Sequence, residues 1–255
     1  MASLSERLRA DETIFTAWSG VPDPLTVELM AAQAFDAVTL DMQHGGHGED
    51  SVLRALPAVL HAKRHAGVRI PVGRWDMASR ALDFGAEAVI APMINSVADA
   101  YAFAQAAKYP PLGQRSWGPT FALPRSGRTM PEFLAGSNTG TVSFAMIETR
   151  EALGILDDIL AVPGIDAVFL GPSDFSIAWT DGAQVDPSLE DMMEAVGDVA
   201  RRARAAGKFA GIYLMDVGLA GRFAKMGYRF FALASELAMF RTGSDVLLRT
   251  AKASL

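Results

Sequence analysis

Eight short apolar runs, each followed by a stretch with helical spacing, alternate along 255 residues. This rhythm predicts an α/β fold, a (β/α)8 TIM barrel forming one domain over residues 1–255. Three observations carry the prediction. The runs mostly lack in–out alternation, as do strands buried on both faces of a parallel sheet. The chain length matches the roughly 250 residues that eight βα units occupy. Glycine-containing breaks (HAGVRIP, DFGAEA, VPGIDA, AAGKFA, KMGYRF) precede five of the runs, where short helix-to-strand loops favour glycine.

Taken in order, the strands are expected at residues 13–18 (TIFTAW), 36–40 (DAVTL), 70–73 (IPVG) and 88–92 (AVIAP). The second half adds 141–147 (TVSFAMI), 167–170 (AVFL), 210–214 (AGIYL) and 230–234 (FFALA). Between them, residues 49–65 open with acids and close with bases, complementing a helix dipole, and Pro57 should kink or split that helix. His61 and His65 then fall on its surface or an interface. Residues 97–108 are alanine-rich, and residues 151–160 put Leu153, Leu156, Ile159 and Leu160 on one face. A further helix over 189–206 stops at Gly207, a natural C-terminal cap. No GxGxxG or GxxxxGK[ST] opens a helix, which removes support for an open nucleotide-binding sheet.

Composition narrows the function. Lys and Arg number 23 against 29 Asp and Glu, a formal charge of −6, so the basic excess of a nucleic-acid binder is missing. The absence of cysteine excludes disulfides, thiolate nucleophiles and Cys-ligated zinc. No apolar run approaches the ~20 residues that span a bilayer, and the first twelve residues are polar and mixed in charge. The expectation is a cytoplasmic protein that engages neither membrane nor nucleic acid.

In such a barrel the chemistry lies at the C-terminal ends of the strands. There the second strand delivers Asp41 and His44, the third Arg74, the fifth Glu148, and the sixth Gly171-Pro172-Ser173-Asp174. Each carboxylate alone would read as a helix cap, and Arg74 alone as a structural ion pair. His47 and Glu49 read as solvated loop or the start of the next helix. The convergence of four strand ends on one rim points to a site. Two carboxylates without further ligating residues make an oxygen-rich centre suited to Mg²⁺ or Mn²⁺, with Co²⁺ or Zn²⁺ also accommodated. An arginine and a proton-carrying histidine beside it suit enolate chemistry on a 2-oxo acid. The alternative, a Schiff-base lysine, finds no candidate, because Lys63, Lys108, Lys208, Lys225 and Lys252 all fall away from the strand ends.

At these residues the chain resembles the metal-dependent (class II) pyruvate aldolases of the HpcH/HpaI family. The stretches that carry the resemblance are AWSG, FDAVTLDMQHGG, IPVGRW, GAEAVIAPMINS, YPPLGQRSWG, AMIET and VFLGPSDFS, between Trp18 and Ser176. The resemblance implies a divalent metal held by Glu148 and Asp174, with Arg74 stabilising the enolate and His44, oriented by Asp41, as acid/base. It also implies that backbone N–H groups around Gly171, Pro172 and Ser173 hold the pyruvate carboxylate. Leu214 is expected near the pyruvate methyl, and Trp18 in the pocket or the core. The implied reaction is reversible cleavage of a 4-hydroxy-2-oxo acid to pyruvate and an aldehyde, in a homo-hexamer. Two readings compete: a CoA-thioester carbon–carbon lyase of the same superfamily, and a non-catalytic barrel that binds an oxo acid.

Two residues depart from the family pattern. Met146 stands where Gln is usual, two residues before Glu148, and Glu236 stands where Asp is more common. The second departure is read as altering a surface or interface contact. Residues 110–130 form a long Pro-, Gly- and Arg-rich loop, whose Arg115, Arg125 and Arg128 could meet a distal substrate carboxylate or bridge subunits. The apolar stretch 237–248 suggests a helix packing on a partner copy.

Overall fold

Strands with a continuous apolar character need cover on both faces, and closing the sheet on itself inside a ring of helices supplies it. The computed structural model, which describes residues 2–255, shows this arrangement. The strands β1 (Ile14–Ser19), β2 (Ala37–Asp41), β3 (His65–Arg69), β4 (Ala88–Ala91), β5 (Val142–Ile147), β6 (Ala167–Leu170), β7 (Phe209–Tyr213) and β8 (Phe230–Ser235) run parallel. They pair in chain order, and β8 closes against β1.

The helices are α1 (Leu4–Arg9), α2 (Pro24–Ala31), α3 (Glu49–His61), α4 (Asp76–Phe84), α5 (Val97–Ala107), α6 (Ala122–Ser126) and α7 (Met130–Gly140). They continue as α8 (Arg150–Gly154), α9 (Leu156–Ala161), α10 (Pro172–Trp179), α11 (Met193–Ala205), α12 (Ala220–Met226) and α13 (Glu236–Ala253). Pro57 sits inside α3, which runs through it without a break.

Register divides the side chains into two cores. Inside the barrel, Ile14, Ala37, Ala88, Phe144, Phe169 and Phe230 pack together, and Leu4 and Leu8 of α1 join them. Phe144 and Phe230 lie 4.9 Å apart between ring centroids. Outside, the alternate residues, among them Val38, Leu40, Val68, Ile147, Val168 and Ile212, meet the helices in a larger core. The lower end is sealed by an ion pair, Lys108 with Asp166 at 2.6 Å, and by the contact of His65 Nδ1 with Glu87 at 3.0 Å.

The third strand departs from the expected one. It spans His65–Arg69, so the HAGVR segment is the strand itself and Ile70–Gly73 is the loop after it. The IPVG run attracted the strand assignment through its apolar side chains, yet Pro71 has no N–H for a ladder. His65 consequently faces the barrel interior, fully buried, and only His61 ends the helix.

Candidate active site

Asp41 and Arg69 end adjacent strands as register partners and both point inward. Their meeting is therefore dictated by the sheet. The guanidinium grips the carboxylate with two bonds, Nε to Oδ1 at 2.8 Å and NH2 to Oδ2 at 2.6 Å. The indole N–H of Trp18, inward on β1, donates to Asp41 Oδ2 at 3.3 Å, and Arg69 lies over the indole at 5.0 Å. Asp41 also accepts from the backbone N–H groups of Gln43 and Gly45, at 3.0 and 3.1 Å. Burial alone would raise the Asp41 carboxyl, but Arg69 and these N–H groups outweigh it and hold the pKa below the usual carboxylate value. What Asp41 touches in His44 is the backbone N–H, at 3.4 Å, so it shapes the loop that carries the exposed imidazole.

Across the barrel mouth, Glu148 follows β5 directly and is 1% exposed, with an Oε1 that has no hydrogen-bond partner. Burial first, and the neighbouring Asp174 carboxylate second, push its pKa up to about 7. It packs on Gly171, where an added Cβ would lie 3.0 Å from Glu148 Cγ, so only glycine admits this close approach. Gly171 caps α10 and Pro172 is its first residue, so the free N–H groups of the first turn face the rim beside Asp174.

A cavity of about 260 Å³ joins these parts, lined by Trp18, Asp41, His44, Arg69, Met146, Phe169, Gly171–Asp174, Tyr213 and Met215. Its volume suits a small metabolite better than a drug-sized ligand, whose pockets begin near ~300 Å³. A buried carboxylate with an orphan oxygen, destabilised by a second carboxylate beside it, is the donor set a hard divalent cation would relieve. Among the described residues no cluster of three His, Asp or Glu suited to a metal occurs. Glu148 and Asp174 would then leave most coordination positions to water and substrate oxygens. The residues fit the metal.

Two expected site residues lie elsewhere. Arg74 stands outside the cavity, its side chain 53% exposed and paired with Asp76 at 2.9 Å. The guanidinium that reaches the cavity is Arg69, because β3 ends five residues earlier than the sequence reading placed the arginine. Leu214 lies one residue past β7 and is buried in the outer core, while the inward register of Gly211 carries Tyr213 into the cavity. Strict alternation counted from either glycine, Gly67 or Gly211, would have found Arg69 and Tyr213. Glu236, expected at the surface, is 3% exposed. Arg115, Arg125 and Arg128 line a separate cavity of about 460 Å³ with Glu6 and Glu87 at the other end of the barrel. There Arg115 pairs with Asp83 at 2.6 Å and Arg125 donates to the Phe84 carbonyl. The lysines stay away from the mouth, Lys108 and Lys208 both bonding groups at the lower end.

Comparison with known proteins identifies the family. A hydroxypyruvate/pyruvate aldolase of Rhizorhabdus wittichii is 36% identical over 92% of this chain and 93% of its own. A 4-hydroxy-2-oxo-heptane-1,7-dioate aldolase of Salmonella typhimurium is 30% identical over 96% of this chain and 92% of its own. The crystal structure of an HpcH/HpaI aldolase from Desulfitobacterium hafniense superposes with a TM-score of 0.89 at 26% identity, covering 99% of this chain and 97% of that one. With residues 15–242 also matching the profile described as HpcH/HpaI aldolase/citrate lyase, the chain belongs to that family.

Proposed function

We propose that the protein is a carbon–carbon lyase of the aldolase type, a class II enzyme that reversibly cleaves a 4-hydroxy-2-oxo acid to pyruvate and an aldehyde. The single observation that carries the reading is a small cavity with the bidentate Asp41–Arg69 couple on one wall and, behind Gly171 and beside Asp174 on the other, the buried Glu148 carboxylate with its unpartnered Oε1.

In this reading Glu148 and Asp174 hold a divalent ion, Mg²⁺ or Mn²⁺ by the hardness of the donors. When bound, the ion supplies Lewis-acid polarisation of the substrate's 2-oxo group. The backbone N–H groups at the start of α10, around Gly171 and Ser173, orient the substrate carboxylate. The Arg69 guanidinium, fixed by Asp41 and the Trp18 face, offers its remaining donor edge to the oxygen that gains charge as the enolate forms. In the cleavage direction His44 takes the proton from the 4-hydroxyl, the C3–C4 bond breaks, and its electron pair becomes the enolate. The same proton store returns a proton to C3 to give pyruvate. Phe169, Met146 and Tyr213 wall the C3 side and keep bulk water from the carbanionic carbon.

Self-association belongs to the same proposal, with a homo-hexamer as the assembly that the family resemblance implies. Its support is α13, which exposes Leu237, Phe240 and Leu247 at 67–73%. No helix among the described residues is long and apolar enough to cross a membrane.

Deuterium exchange into the pyruvate methyl tests the reading without an aldehyde. Metal-stripped protein is incubated with pyruvate in D2O, Mg²⁺ or Mn²⁺ is added, and the methyl proton signal is followed. The expected result is metal-dependent loss of that signal, abolished in Glu148→Ala and slowed by at least about 100-fold in Arg69→Ala. No exchange with any divalent ion would remove pyruvate as the nucleophile.

A further inference from the structure

Glu236 is the first residue of α13 and the most buried carboxylate on the rim apart from Glu148 and Asp41. Its Oε1 accepts from Ser19 Oγ at 2.6 Å, and its two oxygens accept from the Gly20 N–H at 3.0–3.1 Å and the Val21 N–H at 3.2 Å. One carboxylate thus takes the Ser19 hydroxyl and the first two N–H groups past β1. Ser19 Oγ, fully buried, also lies 2.9 Å from His47 Nε2. A hydroxyl has one proton, and Ser19 gives it to Glu236, so the His47 proton sits on Nε2 and is donated to Ser19. His47 Nδ1 lies 3.2 Å from Ser51 Oγ. Burial lowers the His47 pKa, against the pull of Glu236 and Asp41. The sequence Glu236–Ser19–His47 is a closed chain of hydrogen bonds with no vacancy for a substrate.

The chain ends where the proton-carrying loop ends. His44 lies on the seven-residue segment Asp41–His47, whose first residue is fixed by Arg69. Its middle rests directly on the segment after β1. The Gly46 N–H donates to the Gly20 carbonyl at 2.7 Å, and an added Cβ on Gly45 would lie 2.9 Å from Gly20 Cα and 2.5 Å from the Asp41 carbonyl. Glycine there allows the two backbones to touch. In the platform that carries this contact, Ser19 still pairs with Leu40 of β2, but the N–H groups of Gly20 and Val21 lie past the ladder and are held by Glu236.

We propose that Glu236, acting through Ser19, Gly20 and His47, is a positioning residue for His44: it sets the loop that presents the imidazole to the cavity, and so governs proton transfer while leaving pyruvate binding alone. The pyruvate contacts in the reading above, Arg69 and the start of α10, lie at the end of β3 and after β6. This proposal rests on the aldolase reading of the same cavity. It also gives Glu236 a task that a surface contact could not perform. Displacing an acid/base group by about 1 Å is enough to slow a reaction on the order of 100-fold.

The test uses the metal-loaded full-length protein and the saturable exchange of pyruvate methyl protons in D2O, read as kcat and KM per folded molecule. Ser19→Ala removes the hydroxyl between Glu236 and His47 but leaves the carboxylate on Gly20 and Val21, and Glu236→Gln replaces one acceptor oxygen with a donor facing N–H groups. Both are expected to lower kcat about 10- to 100-fold with KM for pyruvate within twofold. Glu236→Asp, which keeps the charge, should recover part of the loss in kcat. The double variant Ser19→Ala/Glu236→Gln should be no slower than the worse single variant, because both act through one chain. If Glu236→Gln does not fold, Ser19→Ala alone decides. Wild-type kcat in Ser19→Ala, or a KM that rises with kcat unchanged, would overturn the proposal while the aldolase reading stands. Absence of exchange in the wild type would overturn both.

Discussion

The two ends of the barrel treat charge in opposite ways. At the lower end Lys108 is wholly buried, yet its ammonium meets Asp166 at 2.6 Å and the carbonyls of Asn138 and Thr141 at 3.0 and 2.9 Å. Arg115 has Asp83, and Glu87 has His65 and the Leu4 N–H. At the upper end Glu148 is as deeply buried and has an oxygen with no partner, beside a second carboxylate. A fold that can satisfy a buried ammonium three times over has the means to satisfy Glu148 and does not. Two carboxylates, Glu148 and Asp174, set side by side at the mouth, against buried cations that each meet an opposite charge at the lower end, separate the part of the molecule that reacts from the part that holds it together.

The largest way to break this comparison is at Arg69. Removing its guanidinium takes a donor from the developing enolate and frees Asp41 at once. The expected loss in pyruvate exchange is about 100- to 1000-fold for Arg69→Ala, measured against Arg74→Ala, which should stay within twofold. Equal effects at the two arginines would contradict the assignment of Arg69. At the opposite end, Asp166→Asn leaves Lys108 buried without its counter-charge. Chemical denaturation should show a loss of roughly 3 kcal/mol, at the low end for a broken buried pair because Asp166 is partly exposed, with kcat unchanged.

The third expectation sharpens the contrast through pH. The Glu148 pKa is raised from 4.5 to about 7, so the folded protein favours the protonated form. Its stabilising effect is complete below about 4.5 and disappears as pH rises to about 7, above which ionised Glu148 strains the metal-free protein. Glu148→Gln removes that strain. In chelator the variant should be the more stable by up to about 3 kcal/mol at pH 8, with the advantage gone by about pH 4.5. Thermal unfolding across this range checks it, and added Mn²⁺ should stabilise the wild type alone. A pH-independent difference would mean that Glu148 has a partner at the rim.

Much of this was legible in the chain. Apolar runs with glycine breaks locate seven of the eight strands to within about a residue or two, and they place Asp41, Glu148 and Gly171–Asp174 past strand ends. The third strand was not legible, because His65 and Gly67 interrupt its apolar character and the neighbouring IPV run is more hydrophobic. That displacement turned Arg74 into a candidate and concealed Arg69. Tyr213 was concealed by parity: a buried strand that reads apolar on both faces does not announce which side chains point inward. Glu236 was illegible for another reason. Its partners are more than 200 residues away in sequence, and their donors are mostly backbone N–H groups, which no side-chain pattern records.

The edge-on and tilted rings of Phe144, Phe169 and Phe230, closed below by Leu4 and Leu8, make the barrel a cup with a solid floor. A cup has a single doorway, so everything that enters must leave past whatever arrived after it. Under the aldolase reading the oxo acid sits low, against Gly171 and Arg69, and the aldehyde fragment sits above it toward exposed His44 and Met215. Traffic is then last in, first out: the aldehyde departs before pyruvate can, and in synthesis pyruvate must be seated before an aldehyde is of any use. The order of events follows from six apolar side chains that close the floor: the three rings, the two leucines beneath them and Ile14 at their side.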